Sequence, residues 1–216
     1  MKKALIAIIL ASITLNLTAA IGDWKIYMSY SEPQQIQETG NYLFVQASNS
    51  LYLYNKNDQS IQTFDKTTGM SDVVVTNISW NQKAKRLVVV YDNSNIDLID
   101  LQGNVTNVPD LYNKSMTEDK TVNSIINNDK YAYIATNFGG IKLNVASGEV
   151  YESYLLGQSI KRFAVSGSTI YALNTQNKAI SASMSTNLQD KANWESTSSY
   201  PDGIFNEDNS AYTNNI

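Results

Sequence analysis

From residue 36 onward, apolar runs of about four to seven residues are divided by short polar turns of Asn, Asp, Ser and Gly, and the runs recur in groups of about four. The first group opens at Ile36, turns at 38–41, runs through 42–48, turns at Asn49 and Ser50, and continues through 51–55 and 61–65. The second opens at Ile78, turns at 81–85, runs through 87–92 and 96–100 around a turn at 93–95, and ends with 105–108 after a turn at 102–104. The third opens at Ile125 and has turns at 127–129, 138–140 and 147–148, with runs at 131–136, 141–145 and 150–154. The fourth opens at Phe163, turns at 166–168 and 176–177, runs through 169–173 and 179–183, and has a last short strand at 194–196.

Runs of this length bounded by turn-forming residues are strands. The lead residues Ile36, Ile78, Ile125 and Phe163 stand 42, 47 and 38 positions apart, and a period of 40 to 50 residues holding four antiparallel strands is that of a β-propeller blade. The second run of each group is almost continuously apolar, as in Leu87-Val88-Val89-Val90-Tyr91, which fits a strand covered on both faces. The third runs, 96–100 and 141–145, alternate in part. The expected fold is all-β: a β-propeller of four-stranded blades of about 40–47 residues, four of them present, with a fifth beginning at 203–206 and 211–216. An incomplete ring of this kind leaves open sheet faces, so the chain reads as the front part of a longer protein. A Greek-key sandwich also spaces its turns every 8–12 residues, but it does not repeat their chemistry in register.

Ahead of the repeats, Met1-Lys2-Lys3 is basic, 4–17 is mostly apolar and Thr18-Ala19-Ala20 is small, the layout of an export signal. The apolar run is shorter than the ~20 residues of a membrane span. The expected organisation is a signal peptide over 1–20, a lone strand within 21–32 that alternates from Trp24 to Tyr30 and can close the ring, and propeller blades over 33–216. The mature chain then lies in the periplasm or at the cell surface, with no transmembrane span.

Composition narrows the chemistry. The chain has no Cys and no His, which excludes disulfides, thiolate nucleophiles, Cys-ligated metals and imidazole bases. Net charge is −4, and −6 once Lys2 and Lys3 are gone, so nucleic acid is not an expected partner. Asp92, Asp97 and Asp100, with Asn93 and Asn95, could be imagined as a calcium loop. Asp97 and Asp100 fall on opposite faces of a strand, however, and 92–95 is ordinary hairpin chemistry. Glu118-Asp119-Lys120 reads as a solvated loop. Gly139-Gly140 lies between two strands, so a turn needing positive φ explains it better than a phosphate cradle. Tyr42, Tyr52, Tyr91, Tyr131, Tyr133 and Tyr171 recur at matched strand positions, which favours packing between blades over a stacking platform. No catalytic, metal or cofactor-binding residue is assigned, and the binding residues stay open. The end of the ring bearing the second-to-third-strand turns and the inter-blade loops is the expected contact surface, with the longest loops at 110–120 and 187–200.

From Thr68-Gly69-Met70-Ser71-Asp72, through 87–92 and Asn95-Ile96-Asp97-Leu98-Ile99-Asp100, to Lys120-Thr121-Val122-Asn123-Ser124-Ile125 and 131–141, the chain resembles the two-component-regulator type propellers of Bacteroidetes. Within these it is most similar to the PorZ-type surface components of the type IX secretion system. The resemblance implies two amino-terminal propellers followed by a small β-sandwich, and membership of a cell-surface complex that processes and attaches exported cargo. It carries no catalytic residues over. The leading expectation is a non-catalytic, exported interaction scaffold with protein partners in an outer-membrane complex, a glycan or lipopolysaccharide being a further candidate. The alternatives are a glycan-sensing periplasmic propeller of a two-component regulator and a polysaccharide-active enzyme. The last needs paired carboxylates at the ring axis, which the strands around the four lead residues do not supply.

Overall fold

The structure, a computed structural model, describes residues 29–206. The expected signal at 1–20, most of the lone strand at 21–32 and the end of the chain beyond 206 lie outside the described residues. Sixteen strands form four separate four-stranded antiparallel sheets, each in sequential order. Blade 1 holds β1 (Pro33–Thr39), β2 (Tyr42–Ala47), β3 (Ser50–Asn55) and β4 (Ile61–Phe64). Blade 2 holds β5 (Val75–Asn81), β6 (Arg86–Tyr91), β7 (Ile96–Ile99) and β8 (Val105–Val108). Blade 3 holds β9 (Val122–Asn128), β10 (Tyr131–Thr136), β11 (Gly139–Asn144) and β12 (Glu149–Leu155). Blade 4 holds β13 (Ile160–Ser166), β14 (Thr169–Asn174), β15 (Ala179–Ser183) and β16 (Glu195–Thr197). The first strands pack in series, β1 on β5, β5 on β9 and β9 on β13, so they line the axis of an incomplete four-blade propeller.

The core lies between blades. Phe44, Leu51, Leu53 and Phe64 of blade 1 meet Ile78, Trp80, Leu87 and Val89 of blade 2. Val88, Val90, Ile96 and Leu98 of blade 2 meet Ile125, Ile134, Ile141 and Leu143 of blade 3. Tyr133 and Tyr154 of blade 3 meet Ile160, Phe163, Ile170 and Ala172 of blade 4. Strand β6 therefore sends Leu87, Val89 and Tyr91 towards blade 1 and Val88 and Val90 towards blade 3. Side chains alternate between faces along a strand, and here both faces are interior, which is why the run carries no polar residue.

The axial edge of each first strand would be left with unpaired backbone groups, and side chains of the neighbouring blade take up part of that role. The Gln35 amide donates to Thr76 O (2.9 Å) and accepts from Ile78 N (3.0 Å), and Gln37 Oε1 accepts from Trp80 N (3.0 Å). Asn123 Nδ2 donates to Ile160 O (2.8 Å), and Ser124 Oγ to Lys161 O (2.9 Å). Between blades 2 and 3, Asn127 Nδ2 donates to Ser79 Oγ and Trp80 O, while Asn81 Nδ2 donates to Asn127 Oδ1 and Asp129 O. The wealth of Asn and Gln is thus partly internal wiring.

Three sequence expectations change. Of the two third runs expected to alternate, 141–145 does, with Lys142 and Asn144 only partly buried, but β7 does not: all four of its residues, Asp97 included, are buried. Segment 187–200 is not an inter-blade loop over most of its length, because β16 pairs with β15 through Ile180–Ser196. Residues 184–194 form the third-to-fourth-strand connection, which in an antiparallel sheet opens at the opposite end of the ring from the second-to-third-strand turns. It is anchored by buried Leu188 and Trp194, the indole donating to Leu188 O (2.9 Å). Residues 203–206 form consecutive turns, with Ile204 N on Pro201 O and Asn206 N on Gly203 O, instead of a strand.

Candidate loop face and its comparisons

At one end of the arc the second-to-third-strand turns meet the inter-blade loops. Val75 N donates to Asn49 O, Asp92 N to Val74 O, Asn137 N to Thr121 O and Thr175 N to Ser159 O. Residues with positive φ stand at all four turns: Asn49, Ser94, Gly139 and Asn177. Two blades add an Asp–Asn pair at matched places, three residues ahead of the first strand. Asp72 accepts from Asn93 Nδ2, and Asp119 accepts from Asn137 Nδ2. The bonds to Asn137 and Thr121 hold the Asp119 carboxyl below the usual carboxylate range. Its loop is solvated, as expected, yet pinned.

The Thr68-Gly69-Met70-Ser71-Asp72 turn has a structural account. Asp65 caps a short 3₁₀ turn at Lys66–Thr68, and Gly69 closes it in the left-handed region at φ +102°. Met70 enters the core between blades 1 and 2. Ser71 donates from N (2.8 Å) and Oγ (2.7 Å) to the Asp97 carboxylate, which also accepts from Tyr91 Oη (2.5 Å) and Asn107 Nδ2 (2.9 Å). Burial, and then its bond to Asp97, push the Tyr91 phenol upward.

The three aspartates considered for calcium are not brought together. Asp97 is enclosed by the four donors above, Asp92 is exposed, and Asp100 accepts from Gln102 N, Asn104 N and Asn104 Nδ2 in a turn. Among the described residues no group of three or more acidic side chains is placed to hold a metal ion. Gly139 has φ +136°, as its turn requires, but close approach matters as much: a Cβ there would lie 2.1 Å from Tyr154 O, and one on Gly140 2.4 Å from Phe163 Cε2. The repeated tyrosines pack. Tyr91 and Tyr133 are buried, Tyr52 meets Tyr30, Tyr171 meets Tyr200, and Tyr131 and Tyr151 flank Lys142 Nζ at 4.5 and 4.9 Å from their ring centres.

The openings to solvent among the described residues include three. The axial one, about 390 Å³, is lined by amides and hydroxyls, Gln34, Gln37, Asn77, Ser79 and Asn123 among them, and by Arg162, whose guanidinium donates to Phe205 O. A second, about 500 Å³, runs between the one-turn helix Asp110–Asn113 and β12, over Leu111, Ile141 and Val150. It lies in the long 110–120 loop, where Tyr112 is exposed. A third, about 580 Å³, lies beside blade 4 among Gln158, Asn174, Asn177, Ser196 and Tyr200. Sequence reasoning located the first long loop but not these clefts, which form only where separate blades or connections meet. Among the described residues no helix is long and apolar enough to cross a membrane.

Burial also sets an alkaline limit on the fold. It raises the phenols of Tyr91, Tyr133 and Tyr154, Tyr133 to about 12, with Asp97 or Glu152 adding to the effect. A raised folded-state pKa keeps the proton on the native form, so stability is whole below pH 10 and falls as pH climbs from 10 towards 12 and beyond. Each such tyrosine contributes a slope of about 1.4 kcal/mol per pH unit. The urea midpoint is expected to be flat from pH 8 to 9.5 and to drop steeply by pH 11. A phenolate absorbance titration should show these groups ionising only on unfolding; their ionisation below pH 10.5 in the native chain would contradict it.

Residues 43–195 match the family described as the PorZ N-terminal β-propeller domain of the type IX secretion system. Among solved structures, PorZ of Porphyromonas gingivalis, described as an essential bacterial surface component of the type IX secretion system, is 30% identical with a TM-score of 0.76. The alignment covers 82% of this chain and 24% of that one, so this chain spans about a quarter of its length. The extracellular domain of a protein described as a one-component system from B. thetaiotaomicron aligns with a TM-score of 0.58 at 18% identity, covering 82% of this chain and 25% of that one. AztD from Citrobacter koseri aligns at 0.54 and 15%, covering 77% and 46%. These last two share the fold. No curated protein matches the sequence. With the family match covering most of its length and its four blades folded as such sheets, the chain belongs to the PorZ N-terminal β-propeller family.

Proposed function

We propose that this chain is an exported, non-catalytic propeller scaffold that holds protein partners in a type IX secretion and attachment complex at the cell surface. The family match over 43–195 carries the reading. The loop face supports it: its turns are tied to the loops that enter the same blades by backbone bonds and by the Asp72–Asn93 and Asp119–Asn137 pairs, and blade 1 is tied to blade 2 by Val75 N on Asn49 O, which suits a surface presented in one shape to a partner. In this reading residues 1–20 direct export, the blades begin at 33, and the 110–120 loop makes the main contact, with Tyr112 exposed beside its cleft.

The test is made in the host. Deleting the gene should strip exported cargo from the cell surface. Tyr112→Ala combined with Glu118→Lys should leave the melting temperature within about 2 °C of wild type while reducing co-purification of outer-membrane proteins at least fivefold. Unchanged cargo display on deletion would overturn the secretion role, and unchanged co-purification would overturn the assignment of the loop.

A further inference from the structure

The fourth strands stand at the rim of the propeller, where each leaves its outer edge unpaired whether or not further blades follow. They are not alike. Strands β4 and β8 have four residues and β16 three, short enough to blunt an edge, whereas β12 has seven. It carries neither Pro nor Lys, the residues that commonly guard an edge, and its one irregularity is a bulge at Tyr151. Tyr151 and Leu155 stand 61% and 53% exposed on it, and Tyr112, in the helical turn packed against it, 49%.

The register shows which backbone groups face outward. Leu156 N donates to Phe138 O, and inward and outward groups alternate along an antiparallel strand. With Tyr154 opposite Gly140 and Glu152 opposite Lys142, those two residues turn their N–H and C=O to β11, while Ser153 and Leu155 turn theirs away from it. Among the described residues nothing pairs with that outer edge.

Beside the edge lies the cleft of about 500 Å³ between β12 and the helical turn, with buried Leu111 and Ile141 and half-buried Val150 in its lining. A strand added to β12 would send every second side chain to that side. Charge narrows the occupant. Asp110, in the cleft lining, and Glu149, at the start of β12, are exposed and have no cationic partner among the described residues. The lysines of the adjoining loop are engaged, Lys114 Nζ with Ser153 Oγ and Lys120 Nζ with Tyr112 O and Lys114 O. A second copy of this chain would bring the same two carboxylates to the junction, whereas a strand with basic ends complements them.

We propose that the outer edge of β12 receives an extended segment of a partner protein, apolar at alternate positions and basic at its ends, which adds to blade 3 as a fifth strand and lowers an apolar side chain into the cleft. The inference rests on the scaffold reading and gives the partner its chemistry. Backbone bonds to Ser153 and Leu155 supply affinity, and the cleft and the two carboxylates supply selectivity.

The probe is the peptide acetyl-Arg-Thr-Val-Thr-Val-Thr-Val-Arg-amide, added to the full chain while amide hydrogen exchange is followed by NMR. The Ser153 and Leu155 amides should slow at least about tenfold, with Glu152 and Tyr154, already bonded to β11, unchanged. Leu155→Pro removes one outward N–H and leaves the inward ladder whole, so it should abolish the protection at Ser153, whereas Leu155→Ala keeps it. If Leu155→Pro does not fold, the same peptide methylated at alternate backbone nitrogens replaces it and should give no protection. No slowing by the unmodified peptide, equal protection in the Pro and Ala variants, or equal protection by the peptide with Glu at both ends overturns the proposal. So does a dimer in sedimentation that Leu155→Pro dissolves, since a second copy then holds the edge. These readouts involve neither cargo display nor co-purification, so failure here and failure of the scaffold reading are told apart.

Discussion

Gly139→Ala is expected to destabilise the full chain by about 4 kcal/mol, a large fraction of the ~5–15 kcal/mol by which an ordinary domain is stable. Two costs add. The residue sits at φ +136°, where a side chain is strained by about 1–3 kcal/mol. The added methyl would also lie 2.1 Å from Tyr154 O and 2.9 Å from Leu156 N, both backbone atoms of the neighbouring strand end. Strand β12 cannot move aside freely, because Leu156 N donates to Phe138 O and Tyr154 packs on Phe163 and Trp194. Overpacking of this kind adds about 1–3 kcal/mol. Urea unfolding monitored by circular dichroism measures the effect, and Gly167→Ala is the control: it has a positive φ but nothing within 4 Å, so it should lose about 1 kcal/mol from strain alone. Equal losses at the two positions would mean that the close approach to β12 is not what demands glycine.

Asp97→Asn should cost about 3 kcal/mol, and Asp97→Ala more. Each carboxylate oxygen accepts two hydrogen bonds, Oδ2 from Ser71 N and Tyr91 Oη, and Oδ1 from Ser71 Oγ and Asn107 Nδ2. An amide replaces one of these oxygens with a donor, which would face two donors in a fully buried place. Hydrogen bonds to a charged group are worth about 1.5–3 kcal/mol each, and stranded buried donors add their own penalty. Tyr91→Phe removes one donor and leaves three, so a loss of about 1–2 kcal/mol is expected, and the double variant should lose less than the sum because the two residues share one bond. A full-chain urea midpoint for Asp97→Asn within error of wild type would show that the cluster does not hold blade 2 to the preceding loop.

The Ser71–Asp97 contact marks how far the sequence could be read. The Thr68–Asp72 run is conspicuous in the sequence and carries part of the family resemblance, yet nothing local says what it binds. Asp97 lies 26 residues away and reads as the polar position of an alternating strand. Only once β7 is enclosed between blades, so that no side of it meets water, must that carboxylate find internal donors. The same holds for Gly140, whose neighbour Phe163 belongs to the next blade.

The connection at 187–200 departs from its sequence expectation for a related reason. Its polar composition is that of a loop, but Leu188 and Trp194 reach into the core between blades 3 and 4. That places 187–194 at the far end of the ring, away from the contact surface expected for it. Two apolar residues in a polar stretch carry too little periodicity to reveal burial.

What the sequence determined by itself was the repeat: four apolar runs per 38 to 47 residues, second strands almost continuously apolar, and turn residues suited to tight hairpins. These are local properties of each unit, set by strand periodicity and by the backbone freedom of Gly and Asn, so they survive without knowledge of neighbours. What only the tertiary structure decided was everything between units: the amide side chains that cap the axial strand edges, the enclosure of Asp97, and Gly140 pressed by Phe163 of the next blade. Those depend on which residues from distant parts of the chain come within a few ångströms, and a propeller places its whole core at such junctions.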